Sequence, residues 1–204
     1  MTSSGLLLAS SSPYRKRLLE QLGLPFETAS PNIDESPLQG ELPDALAVRL
    51  ATQKAQALAP EHPGKLIIGS DQVAALPNGT LLSKPGSYEQ ALEQLSQSSG
   101  KSVHFLTGLA VLDTRTGALE HCCETFIAHF RDLSREEISN YLRREQPYDC
   151  AGSFKMEGLG ITLFKGLEGR DPNSLIGLPL IALNEILIRL GNNPLLHPEP
   201  SSGV

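Results

Sequence analysis

Residues 5–23 read GLLLASSSPYRKRLLEQLG, and the change of period inside this stretch decides the fold class. Gly5–Ala9 is a short apolar run without alternation, the pattern of a buried strand. From Ser12 the apolar residues thin to Leu18, Leu19 and Leu22, a helical spacing, with Pro13 at a first-turn position and Gly23 where a helix can end. A strand that enters a helix through Ser10–Ser11–Ser12 also outlines an anion site. Backbone N–H groups at a helix start point outward along the positive end of the helix dipole, hydroxyls add donors, and Arg15 adds a fork that fits phosphate oxygens. The competing reading is a serine cap followed by a solvated basic face.

Working outward, Phe26–Ala29 reads as a second strand, followed by a loop through Asp34–Glu35. A helix over Pro43–Ala59 carries the stripe Leu46, Leu50, Leu58. Leu66–Leu76 is predicted as a strand interrupted by Gly69–Ser70–Asp71–Gln72, with a turn at Pro77–Asn78–Gly79 and a helix over Ser87–Ser96. Val103–Leu112 and Thr125–Phe130 read as strands joined across Thr116–Gly117. Ser134 with Glu137 is a capping-box signature for a helix to Arg144. Beyond a Gly-rich segment, Cys150–Gly158, a strand is expected over Gly160–Phe164 and a last helix over Asn173–Leu190, ended by Gly191. Strands and helices alternate, so the class is α/β. The pattern predicts one domain over residues 1–195 and a disordered Pro- and Ser-rich tail over 196–204.

The bulk numbers narrow the function. The chain has 204 residues, 40% hydrophobic and 20% charged, as expected of a globular protein with a sizeable core. With 17 Lys and Arg against 23 Asp and Glu, its formal charge is -6. That balance argues against nucleic acid as a partner, since non-specific binding there runs on counterion release by basic surfaces. Three cysteines, Cys122, Cys123 and Cys150, make no disulfide framework and point to a reducing compartment. No secretory signal and no apolar run of membrane-spanning length is evident. A cytoplasmic location without membrane contact is expected.

Four further residues stand out against this background. Lys54 lies four residues from both Leu50 and Leu58, on the apolar stripe itself. It either snorkels to the surface or reaches an anion. Asp71 interrupts an apolar strand and needs a partner, a metal or a turn. Glu35 is a second carboxylate able to share a hard cation, because Mg²⁺ takes one or two carboxylates together with phosphate oxygens and water. Lys84 adds another cation.

Ser10–Ser11–Ser12–Pro13–x–Arg15, Asp34–Glu35, Lys54–Ala55, Ser70–Asp71–Gln72, Lys84–Pro85, Thr107–Gly108 and Ala151–Gly152–Ser153 occur in the order seen in the Maf nucleotide pyrophosphatases. The chain resembles that family over residues 6–195. Through Tyr14, Gln72 and Glu157 it looks like the 7-methyl-GTP branch; dTTP/UTP members tend to carry Arg, Thr and Gln at these positions. Ser83 stands where Gly is usual. The resemblance implies a Maf/ITPase-like fold, with a mixed, strongly curved sheet flanked by helices and two lobes around a cleft. It implies hydrolysis between the α and β phosphates of a nucleoside triphosphate with a divalent metal cation, Mg, Mn or Co. Asp71 would be proton acceptor and metal ligand, Glu35 a second metal ligand, and Ser10, Arg15, Lys54 and Lys84 the triphosphate holders. A homodimer is compatible with it. The specificity assignment has its own physical basis: N7-methylguanine is cationic, so the face of Tyr14 stabilises it, the Glu157 carboxylate can accept from its N–H groups, and Gln72 can read the remaining base edge. The alternatives are a dTTP/UTP pyrophosphatase and a nucleotide-sensing regulator of cell division.

Overall fold

The computed structural model describes residues 5–196. Strand β1 (Leu6–Ala9) leads into helix α1 (Pro13–Glu20), and β2 (Phe26–Ala29) returns parallel beside β1. The Ser12 hydroxyl caps α1 by accepting from the Arg15 amide at 3.4 Å. Helix α2 (Pro43–Leu58) carries the chain to β3 (Leu66–Ala75), which lies parallel to β1 on its other side. After α3 (Tyr88–Ser98), strands β4 (Ser102–Asp113) and β5 (Leu119–Phe130) add antiparallel neighbours. Then come α4 (Arg135–Glu145), with both bonds of the capping box formed, the edge strand β6 (Phe164–Glu168) and α5 (Leu180–Arg189). The result is a mixed six-stranded sheet in the order β2-β1-β3-β4-β5-β6. Among the described residues no helix is long and apolar enough to cross a membrane.

The side-chain period of the strands sorts the core. Leu6, Leu8, Leu66 and Ile68 pack with Leu18 and Leu19 of α1 and Leu183 and Leu187 of α5. Their neighbours Leu7, Ala9 and Ile67 face the other way, onto Ala55 and Leu58 of α2. A second core gathers Phe105, Phe126 and Phe130 from the long strands with Leu95 of α3 and Leu142 of α4. Because β3, β4 and β5 are long, one sheet serves both cores.

Helix α2 sits unusually close to that sheet. A Cβ at Gly69 would lie 2.0 Å from the Ala51 carbonyl oxygen, and one at Gly108 2.1 Å from that of Ala47. Ala47, Ala51 and Ala55 recur every four residues, so the seam is built from small residues on both sides. This contact corrects one expectation. Gly69–Gln72 does not interrupt β3 but pairs in register with Ala110–Thr107; the glycine admits α2, and the polar side chains that follow all find partners.

Three other boundaries differ from the sequence reading. β5 begins at Leu119 rather than Thr125, its first half being polar and only partly buried. Gly160–Phe164 is mostly a 3-10 turn, Leu159–Leu163, ahead of β6. The predicted helix 173–190 is broken: a 3-10 turn, Pro172–Ile176, ends at Gly177 with φ +115°, and α5 starts only after Pro179. Buried Asp171 serves both pieces, accepting from Asn173 N at 2.9 Å and from Ile181 N at 2.7 Å. Leu196 closes a short 3-10 turn; the rest of the predicted disordered tail, 197–204, lies outside the described residues.

Candidate active site

Lys54 does not snorkel. It is 7% exposed, and its Nζ donates to Asp71 Oδ1 at 2.6 Å and stands 2.7 Å from Glu35 Oε1. Asp71 projects from the middle of β3 onto α2, as does Val73, which packs on Leu46 and Leu50. One ammonium therefore holds two carboxylates within two hydrogen-bond lengths of each other. Burial by itself would raise the Glu35 carboxyl, but the hydrogen bond and charge of Lys54, helped by Lys84 and Arg15, outweigh it and leave Glu35 below the usual carboxylate range. Two carboxylates at this spacing suit a hard cation that completes its coordination with phosphate oxygens and water. Among the described residues no cluster of three or more His, Cys, Asp or Glu side chains offers an all-protein alternative.

Glu35 comes from residues 30–42, a stretch without helix or strand, and Arg49 of α2 holds that stretch in place. Its Nε and Nη2 meet the Glu41 carboxylate at 2.6 and 2.8 Å, Nη2 also donates to the Ser36 carbonyl at 2.9 Å, and Nη1 donates to Gln53 at 3.0 Å. The bond from Arg49 is the main reason that the Glu41 carboxyl is pushed down to about 2.

Arg15 is seated from an unexpected direction. Its Nε donates to the Gly177 carbonyl at 2.8 Å, and Ser70 Oγ donates to the same oxygen at 2.9 Å. Burial pulls the guanidinium down while Asp71 and Glu35 pull it up. Ser10 is buried, its hydroxyl accepting from Ser12 N at 3.1 Å. Lys84 is exposed on the loop beyond β3.

All nine residues singled out from the sequence, Ser10, Tyr14, Arg15, Glu35, Lys54, Asp71, Gln72, Lys84 and Glu157, line one cleft of about 600 Å³. Electrostatically they fall into two sets. Arg15, Glu35, Lys54, Asp71 and Lys84 form one neighbourhood. Tyr14 belongs to the other: burial raises its hydroxyl, Lys155 opposes, and Cys150, Asp149 and Glu157 add to the rise. The cleft is thus cation-rich at one end, while at the other the Tyr14 ring lies among Lys155, Asp149 and Glu157.

Gln72 faces the opposite side of β3 from Asp71. Its Nε2 donates to the Ser174 carbonyl at 2.7 Å and the Leu175 carbonyl at 3.0 Å, with Thr107 Oγ1 at 3.3 Å. The amide protons brace the 172–176 turn. Sequence reasoning missed Arg49, Glu41, Asp149 and the Gly177 carbonyl. The first three look like ordinary surface charges, and a backbone carbonyl carries no residue signature; only the positive φ demanded at Gly177 could have marked that turn.

The family model for Maf-like proteins matches residues 5–190. The chain belongs to the Maf-like protein family. Two curated relatives of this Maf-like chain are each 57% identical to it over 186 residues. One, from Pseudomonas syringae pv. tomato, is named 7-methyl-GTP pyrophosphatase, and the match covers 91% of this chain and 96% of that protein. The other, from Alcanivorax borkumensis, bears the same name, with 91% and 94% covered.

Proposed function

We propose that this Maf-like protein hydrolyses 7-methyl-GTP to 7-methyl-GMP and pyrophosphate, removing a modified nucleotide, in the cytoplasm. The observation that carries the reading is the meeting of Arg15, Lys54 and Lys84 with Glu35 and Asp71 in one cleft that Tyr14 and Glu157 also line. The names of the two relatives supply the substrate.

In this reading Ser10, Arg15, Lys54 and Lys84 hold the triphosphate. An ammonium has three N–H donors; two of those on Lys54 serve Glu35 and Asp71, and the third is left for a phosphate oxygen. Glu35 and Asp71 would hold a divalent cation, Mg, Mn or Co, which when bound neutralises charge on the phosphates. Asp71 Oδ1 is fixed by Lys54, so Oδ2 takes the proton of the attacking water. Tyr14 lies against the cationic base, where an aromatic face favours the methylated form, and the Glu157 carboxylate accepts from its N–H edge. Gln72 reads the remaining base edge. The three free cysteines support a reducing compartment.

The test is a nucleotide panel assayed with Mg²⁺, Mn²⁺ and Co²⁺, pyrophosphate release being measured for 7-methyl-GTP, GTP, dTTP and UTP. The highest kcat/KM is expected for 7-methyl-GTP. A higher value for dTTP or UTP would replace the substrate assignment, and binding without turnover would replace the enzyme with a sensor.

A further inference from the structure

We propose that Gln94 is a positioning residue that ties the base-facing segment 149–157 to the loop bearing Lys84 and thereby sets the preference for the methylated base. The inference rests on the function proposed above. Gln94 lies on α3, outside the lining of the cleft, yet its amide spans the two segments. Oε1 accepts from Ser153 Oγ at 2.6 Å, and Nε2 donates to the Ser83 carbonyl, next to Lys84, at 2.9 Å. Backbone bonds run alongside, from Gly152 N to the Leu82 carbonyl at 3.0 Å and from Gly86 N to the Tyr148 carbonyl at 2.9 Å.

The conformation at Ser153 explains why a side-chain tie is needed there. Gly152 and Ser153 are consecutive left-handed residues, φ +72° and +59°. Glycine adopts this region freely, whereas serine does so against its preference. The double reversal turns the chain so that Phe154, Met156 and Glu157 face the cleft. Ser153 is fully buried, so its hydroxyl requires a partner, and Gln94 is that partner. The bond holds the strained turn and, through the other end of the same amide, fixes it relative to Lys84. A nucleotide that uses both ends of the cleft then meets a set distance between base reader and phosphate holder. Tripolyphosphate, engaging one end only, is indifferent to that distance.

The test is the double variant Gln94→Leu/Ser153→Ala. It makes both partners of the bond apolar, so no buried hydroxyl is stranded at Ser153, and the exposed Ser83 carbonyl can turn to water. The measurements are kcat/KM for 7-methyl-GTP and for GTP, the Tm, and the affinity for tripolyphosphate. The ratio of 7-methyl-GTP to GTP should fall ~5-fold or more, the lower end of ordinary coupling between sites, while Tm and tripolyphosphate affinity stay near wild type. An unchanged ratio overturns the inference. So does a variant unfolded at the assay temperature, because the tie would then hold the fold rather than the cleft. If the wild type itself shows no preference for the methylated base, the functional reading fails with it; a selective wild type with an equally selective variant sinks the tie alone.

Discussion

Asp71 projects from β3 onto the Lys54 ammonium, and Asp71→Asn keeps the shape of that side chain while removing its charge and basicity. Turnover should drop by roughly 10²–10⁴-fold, the span of a positioned general base, with the circular dichroism spectrum and Tm close to wild type; a purified variant with ordinary kcat would dismiss Asp71 from the chemistry. Glu157 is exposed at the aromatic end of the cleft, so Glu157→Gln should fold normally and lower the ratio of kcat/KM for methylated over unmethylated GTP, measured in parallel assays. Glu41 gives a pH signature. Its carboxyl sits at about 2 instead of 4.5 because Arg49 binds the charged form, so its contribution to stability is complete above 4.5 and fades as the pH falls through 2. The Tm difference between wild type and Glu41→Gln should be constant from neutral pH to about 5 and shrink below that; a constant gap down to pH 3 would mean that the Arg49 pairing is not what shifts the carboxyl.

At the scale of elements, the seam between α2 and the sheet places Lys54 over Asp71. Gly108→Ala puts a methyl 2.1 Å from the Ala47 carbonyl oxygen, which backbone cannot absorb without moving the helix. A loss of about 1–3 kcal/mol is expected, as for other overpacked interiors, with a fall in kcat, both read from urea unfolding and steady-state rates. An undisturbed rate would mean that α2 can shift without carrying Lys54 away. Elements were legible where a period or a cap is strong: Leu6–Ala9, the capping box at Ser134, and the stripe of α2. They were not where tertiary contacts override the local pattern. The polar start of β5 is a strand because β4 pairs with it, and the apparent helix 173–190 is two pieces because Gly177 and Pro179 turn the chain. Lys54 and Asp71 were visible as charges interrupting apolar patterns, and Arg15 as a cation at a serine-rich helix start, whereas Arg49 and Gln94 were not, since polar residues on the outer faces of helices are ordinary and these two act by holding loops.

For the whole molecule, the decisive fact is that β3, β4 and β5 run through both cores. Neither core has a sheet of its own, so they should unfold together. The chain has no Trp and four Tyr, three of which, Tyr88, Tyr141 and Tyr148, pack in or against the second core. Near-ultraviolet dichroism therefore reports that core, and its thermal transition should coincide with the far-ultraviolet one, which reports the entire sheet. Tyrosine signals lost several degrees early would indicate two independently melting lobes. The bond between Arg15 and the carbonyl of Gly177 joins positions 162 apart in sequence. During translation, a ribosome that has made every charged group from position 10 to 84 has still not made the oxygen that seats the guanidinium. A nascent chain therefore cannot seat this guanidinium until Gly177 has been added.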